Sequence, residues 1–175
     1  MRPINPVDEQ RSSIEKYLSL VNRQLSTIMS CILNIETSTS VCSVALSADG
    51  EVLFEKSSFE GPSHAALLGV YAEEAIAVTK EKGLKLDAVA VSSGPGSVAK
   101  GLCFGYGIPL ISIPTLEVLA VAALEQQNNA SDCLYCAMLD ARRMEVYAAI
   151  YDVNLKTVRE TSADIVDAET YASWL

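Results

Sequence analysis

The chain has 175 residues, half of them hydrophobic, and a formal net charge of −9. That length and apolar content suffice for a real core in one domain or two small lobes, and they exclude a disordered chain. The acidity excludes a protein that grips nucleic acid by itself, because neutralising phosphates takes clustered Lys and Arg and no such cluster occurs.

No apolar run approaches the roughly 20 residues of a membrane span, so no membrane role is expected. The first 28 residues are polar and mixed in charge, unlike a signal or transit peptide, which predicts a cytoplasmic location. They read as an added helix. Asn5 caps it, Pro6 suits its first turn, and Asp8 and Glu9 favour its positive end. Ile14, Leu18, Val21, Leu25 and Ile28 form one apolar stripe, which packs on its own domain or meets a partner.

From Cys31 the pattern turns to strands. "CILNIET" and "VCSVALS" flank Thr37 to Ser40, and Asp49-Gly50 makes a tight turn into "EVLFEKS". Ser63 caps a helix carrying Leu67, Leu68, Tyr71, Ala75 and Val78 on one face, and Gly83 stops it. "LDAVAVSS" is a buried strand. Gly94-Pro95-Gly96-Ser97 follows, and Gly101 should end the next helix after a single turn, since glycine costs about 1 kcal/mol against alanine there.

"IPLISI" is a further strand, and Thr115 caps a helix to about Gln126. The polar stretch after it marks the lobe boundary. The expected organisation is therefore 1–28 as an extension, 29–128 as a first lobe and 129–175 as part of a second. "LYCAMLD" and "EVYAAIYD" are strands, a turn lies at Asn154, and Asp167 caps a last helix that runs to the end of the sequence. No internal repeat is evident. Strands joined by tight turns should be antiparallel and those separated by helices parallel. The fold class is thus α/β, a mixed sheet covered by helices in the ribonuclease-H-like manner of an actin-type ATPase, with the second lobe incomplete.

Several motifs carry two readings each. Glu36-Thr37-Ser38-Thr39-Ser40 offers hydroxyls and amides for phosphate oxygens and an acid for hydrated Mg²⁺, or it is a polar hairpin tip. Gly94, Gly96 and Ser97 permit close backbone approach to a ligand, or form a structural turn; their spacing fits neither a P-loop nor a dinucleotide fingerprint. Asp140-Ala141-Arg142-Arg143 faces a phosphate or a partner carboxylate, or is a charged corner. His64, the single histidine, opens a helix beside its cap or takes part in catalysis. No His/Cys/Asp/Glu cluster has metal-ligand spacing. The five cysteines read as free thiols; Cys133-Leu-Tyr-Cys136 lacks a second pair and opens a strand.

Together "ILNIETSTSVCSVAL", "SHAALL", "VSSGPGS", "IPTLEVLA" and "DARRMEVYAAIY" resemble, in order and context, the TsaB (YeaZ) family. The resemblance runs from about Met29 to Leu175. It implies the actin-like fold and an accessory, non-catalytic role in threonylcarbamoyladenosine modification of tRNA. It implies no cofactor held by this chain, with ATP or ADP and Mg²⁺ belonging to the complex. The implied partners are a catalytic TsaD-type paralogue and a TsaE-type ATPase, with a homodimer as an alternative and tRNA met only through the complex.

The family's association face is built from the helix that Ser63, His64, Leu67, Leu68 and Tyr71 open and from the helix after Ser97. That second helix is shorter here by roughly eight residues, about two turns. The competing readings are an autonomous actin-fold ATPase or sugar-kinase-like phosphotransferase, and a truncated paralogue that only self-associates.

Overall fold

A computed structural model describes residues 30–37, 42–58, 64–92, 97–126, 133–167 and 169–174. The helix expected over 1–28 lies outside these residues. The chain divides into two compact units, Met1–Thr115 and Leu116–Leu175.

The first unit is built on a five-stranded sheet. Strands β1 (Cys31–Glu36), β2 (Cys42–Ala48) and β3 (Glu51–Ser58) run antiparallel. Asp49 (φ 52°) and Gly50 (φ 86°) form the two-residue loop between β2 and β3, the left-handed pair that matches strand twist. Helix α1 (His64–Glu81) then crosses over to β4 (Ala88–Ser92), which lies parallel to β1. Helix α2 (Ser97–Tyr106) leads to β5 (Leu110–Ile113), parallel to β4. The order β3-β2-β1-β4-β5 follows from one rule: hairpins add neighbours on one side, helical crossovers on the other.

Alternation along β1 sends Cys31, Leu33 and Ile35 to one face, where they pack with Val44, Leu46, Val89 and Val91. Leu68, Ala72, Ala75 and Ile76 of α1 and Ala99 of α2 cover that face. On the other face Asn34 is buried, and its amide donates to Ile32 O and Ser47 Oγ, each at 3.1 Å.

Helix α2 corrects the expectation of a single turn. It runs ten residues, through Gly101 and Gly105, and stops only at Gly107. Gly107 has φ 64°, and Ile108 N bonds Cys103 O at 3.1 Å. The same left-handed stop ends α1, where Gly83 has φ 64° and Leu84 N bonds Thr79 O at 2.8 Å. A glycine inside a helix only weakens it, whereas one at this terminal position can adopt the conformation that ends it.

The second unit is a three-stranded antiparallel sheet of β6 (Tyr135–Arg142), β7 (Glu145–Tyr151) and β8 (Thr157–Ile165), in that order. Helix α3 (Thr115–Gln126), expected with the first lobe, packs Leu116 and Ala120 against Tyr135, Ala137, Ala149 and Tyr151. Strand β8 was not legible in the sequence, and the expected terminal helix is a bend followed by one 3-10 turn, Ala172–Trp174. Asp167 Oδ1 accepts from the amides of Glu169 (2.9 Å) and Thr170 (2.8 Å), so it closes the bend before that turn rather than capping a helix.

The meander β6-β7-β8 repeats the plan of β1-β2-β3, although no sequence repeat announces it.

Candidate functional site

Open sheets bind ligands beyond the carboxyl ends of their parallel strands, because loops and helix starts converge there. At that end of the first sheet stand Glu36, the last residue of β1, and Ser92, the last of β4. They are 56 residues apart in sequence, yet Ser92 Oγ donates to Glu36 Oε1 at 2.8 Å. Ser92 is buried and Glu36 half-buried, so the carboxylate is oriented rather than free to sweep through solvent. Thr37 follows directly and is half-buried. Ser38, Thr39, Ser40, Gly94 and Gly96 lie outside the described residues; Ser97 opens α2.

Asp140 belongs to the second unit, near the end of β6, a place that corresponds to Glu36 on β1. Its Oδ1 accepts from Arg142 N at 2.8 Å across an irregularity in the β6–β7 ladder. Arg142, Arg143 and Met144 all have positive φ, which makes this corner a tightly coiled turn.

The helical face differs from its expected composition. Leu68 is buried in the core, and Leu67 and Tyr71 are half-buried. Lys56 Nζ sits 5.5 Å from the Tyr71 ring centre and pairs with Glu74, which ties α1 to β3. Leu68 and Tyr71 therefore stabilise their own unit. Ser63 is outside the described residues, and His64 is the first residue of α1.

The large apolar side chains that do face outward are Val70 on α1 (49% exposed) and Phe104 (92%) and Tyr106 (50%) on α2. Gly101 lies one turn before Phe104 and Gly105 directly after it, and a Cβ at either would meet nothing within 4 Å. Sequence reasoning missed these positions because it ended α2 too early. It also missed Ser92, whose only signal was its place at the end of an apolar run.

In the second unit Asp164 accepts two bonds from Arg159 (2.6 and 2.7 Å), one from Ser162 Oγ (2.9 Å) and one from Tyr171 OH (2.8 Å). These donors, Arg159 first, hold its carboxyl well below the usual carboxylate range, and the Asp164 carboxylate raises the Arg159 guanidinium in return. Burial pushes the Glu117 carboxyl up. Among the described residues no group of three His, Cys, Asp or Glu is placed to hold a metal. No helix among them is long and apolar enough to cross a membrane.

A family model described as TsaD, tRNA N6-adenosine threonylcarbamoyltransferase, matches residues 60–173. The chain is 34% identical over 131 residues to the tRNA threonylcarbamoyladenosine biosynthesis protein TsaB of Escherichia coli (strain K12). The chain belongs to the TsaB/YeaZ group of this family. The Escherichia coli match covers 69% of this chain and 54% of that relative. TsaB of Haemophilus influenzae is 35% identical over 128 residues, covering 66% and 51%. The chain thus spans about half the length of the curated relatives it matches. Among solved structures, YeaZ from Pseudomonas aeruginosa superposes with a TM-score of 0.62 at 25% identity, over 80% of this chain and 70% of that one. The fold is the actin-like, ribonuclease-H-like α/β fold of YeaZ.

Proposed function

We propose that this chain is an accessory, non-catalytic subunit in the synthesis of tRNA threonylcarbamoyladenosine, paired with a TsaD-type catalytic paralogue in the cytoplasm. The match to TsaB relatives supports the pathway. The observation that carries the accessory role is Phe104, 92% exposed between two unencumbered glycines on α2. A large apolar side chain with that exposure costs solubility in a lone chain and supplies an anchor in a complex. Val70 and Tyr106 add to it, and Leu67 lies at the edge of the same contact. A TsaE-type ATPase joins the assembly, tRNA is met only through the complex, and self-pairing through the same helices competes with TsaD.

Glu36, Thr37 and Ser92, with Ser38, Thr39, Ser40, Gly94, Gly96 and Ser97, mark the candidate phosphate side of the fold, and Asp140 its counterpart in the second unit. The donor set at Glu36 is all oxygen, which suits hydrated Mg²⁺ and a nucleotide phosphate rather than a soft metal. When bound, Mg²⁺ would offset phosphate charge. Glu36 would hold its water shell while Ser92 fixes the carboxylate's rotamer. In the accessory reading that nucleotide is held by the complex. The Glu36–Ser92 pair also favours a second reading, an autonomous ATPase.

Titration calorimetry against a TsaD-type threonylcarbamoyltransferase and an ATP-turnover assay of the isolated chain separate the two. The accessory role requires a complex and background turnover. No binding, together with turnover that vanishes in Glu36→Ala, would replace it with the ATPase.

A further inference from the structure

The start of β1 is pinned from two sides. Ser30 N donates to Asp49 Oδ1 at 3.1 Å, and Asp49 N donates back to Ser30 O at 3.3 Å. Cys31 N donates to Asp87 Oδ2 at 2.9 Å, and Asp87 N to Cys31 O at 2.9 Å. Asp49 sits in the β2–β3 hairpin and Asp87 just before β4, so the point at which the chain enters this unit is fixed. It lies at the opposite end of β1 from Glu36.

Beside that point is an open cleft of about 590 Å³, lined by Ala48, Asp49, Glu51, Leu53, Lys82 and Leu84. Its base is apolar: Ala48, Leu53 and Leu84 are half-buried and pack against the core cluster. Its rim is charged, with Asp49, Glu51 and Lys82 exposed. The left-handed stop of α1 fixes one wall, since Gly83 separates Lys82 from Leu84 and Leu84 N bonds Thr79 O at 2.8 Å. An apolar base within a polar rim suits one face of an amphipathic segment.

The chain supplies such a segment at the right distance. The stripe Ile14, Leu18, Val21, Leu25 and Ile28 ends two residues before Ser30. Two residues span at most about 7 Å, so Ile28 cannot leave the neighbourhood of Asp49. No charge occurs from Gln24 to Ser30, so seating this stretch desolvates no ion. Arg23, two residues from both Val21 and Leu25, belongs to the opposite face of the predicted helix. The short tether also makes docking intramolecular, at an effective concentration of about millimolar or more that a free partner would have to exceed.

We propose that this cleft is the docking site of the chain's own N-terminal segment, with Leu25 and Ile28 seated on Ala48, Leu53 and Leu84. Docked there, the stripe completes the first unit and is withdrawn from partners. The inference rests on the entry point of β1 and on the cleft. It depends neither on the accessory role nor on Phe104.

The test uses the full 175-residue chain with Lys82 replaced by p-benzoylphenylalanine, a photoreactive side chain at an exposed position. Irradiation should give a cross-link within one chain that peptide mapping places in 21–29. Leu25→Asp should reduce its yield at least tenfold. In the same variant without the probe, amide hydrogen exchange over 48–53 should quicken at least tenfold while β4 and β5 keep their rates. A thermal melt checks folding. Ile28→Asp serves if Leu25→Asp does not fold, and Glu51 carries the probe if position 82 does not accept it.

Three results overturn the proposal. One is cross-linking confined to other parts of the chain. Another is a yield in 21–29 that Leu25→Asp leaves unchanged. The third is cross-linked dimers whose share rises with concentration, which would make the occupant a second copy. Failure to bind TsaD leaves the inference intact, because no part of the test involves that partner.

Discussion

Replacing Phe104 and Leu68 separately divides association from stability. Phe104 is 92% exposed, so its truncation to alanine should alter the free chain's stability by no more than about 0.5 kcal/mol. In the complex the ring would be buried. A fully buried Phe contributes about 1.5–3 kcal/mol, so Phe104→Ala should raise the dissociation constant for TsaD roughly 10- to 150-fold. Leu68 is 7% exposed inside the α1 core, and Leu68→Ala should cost about 3 kcal/mol, with the gap only partly closing. In a chain of this size that lowers the melting temperature by roughly 6–12 °C.

Calorimetric titration and a thermal melt on the same samples read both quantities. The reasoning requires opposite patterns: Phe104→Ala unchanged in the melt and weak in binding, Leu68→Ala the reverse once measured well below its melting point. Unchanged affinity in Phe104→Ala would remove α2 from the contact. A several-degree fall in its melting temperature would mean that the ring is packed in the free chain.

Gly105→Ala and Gly107→Ala should move stability in opposite directions in a urea melt. Gly105 lies in the last turn of α2 with open space around it, so alanine should gain up to about 0.5 kcal/mol, whereas Gly107 at φ 64° should lose about 1 kcal/mol. Acid should loosen the C-terminal segment through Asp164. Its carboxyl is held below the ordinary value, so its contribution is present above about pH 4 and is lost as pH falls toward the folded value. Fluorescence of Trp174, the only tryptophan, should report a transition below pH 4 that Tyr171→Phe moves upward. Among the thiols, a mild alkylating reagent followed by mass mapping should label Cys133 first, and Cys31 and Cys42 only after unfolding, because both are buried. Labelling of Cys42 at the rate of Cys133 would contradict the packing of β2.

Much of the fold was local and therefore legible. Asp49-Gly50 sets a hairpin because both residues tolerate left-handed φ, and Gly83 ends α1 for the same reason. Chain handedness then places β4 parallel beside β1. The family pattern was legible too, since it is carried by short contiguous segments.

Tertiary structure decided what depends on pairs distant in sequence. Helix α2 passes Gly101 because Ala99 is fixed in the core; that packing outweighs a propensity cost of about 1 kcal/mol per glycine. Leu68 and Leu67 are adjacent apolar residues, and only the direction of the sheet assigns one to the core and leaves the other at the surface. Strand β8 alternates too weakly to stand out, and it exists because β7 supplies a ladder for it. Ser92 became part of the candidate site only when β1 and β4 ended side by side, since a hydrogen bond across 56 residues has no signature in either segment alone.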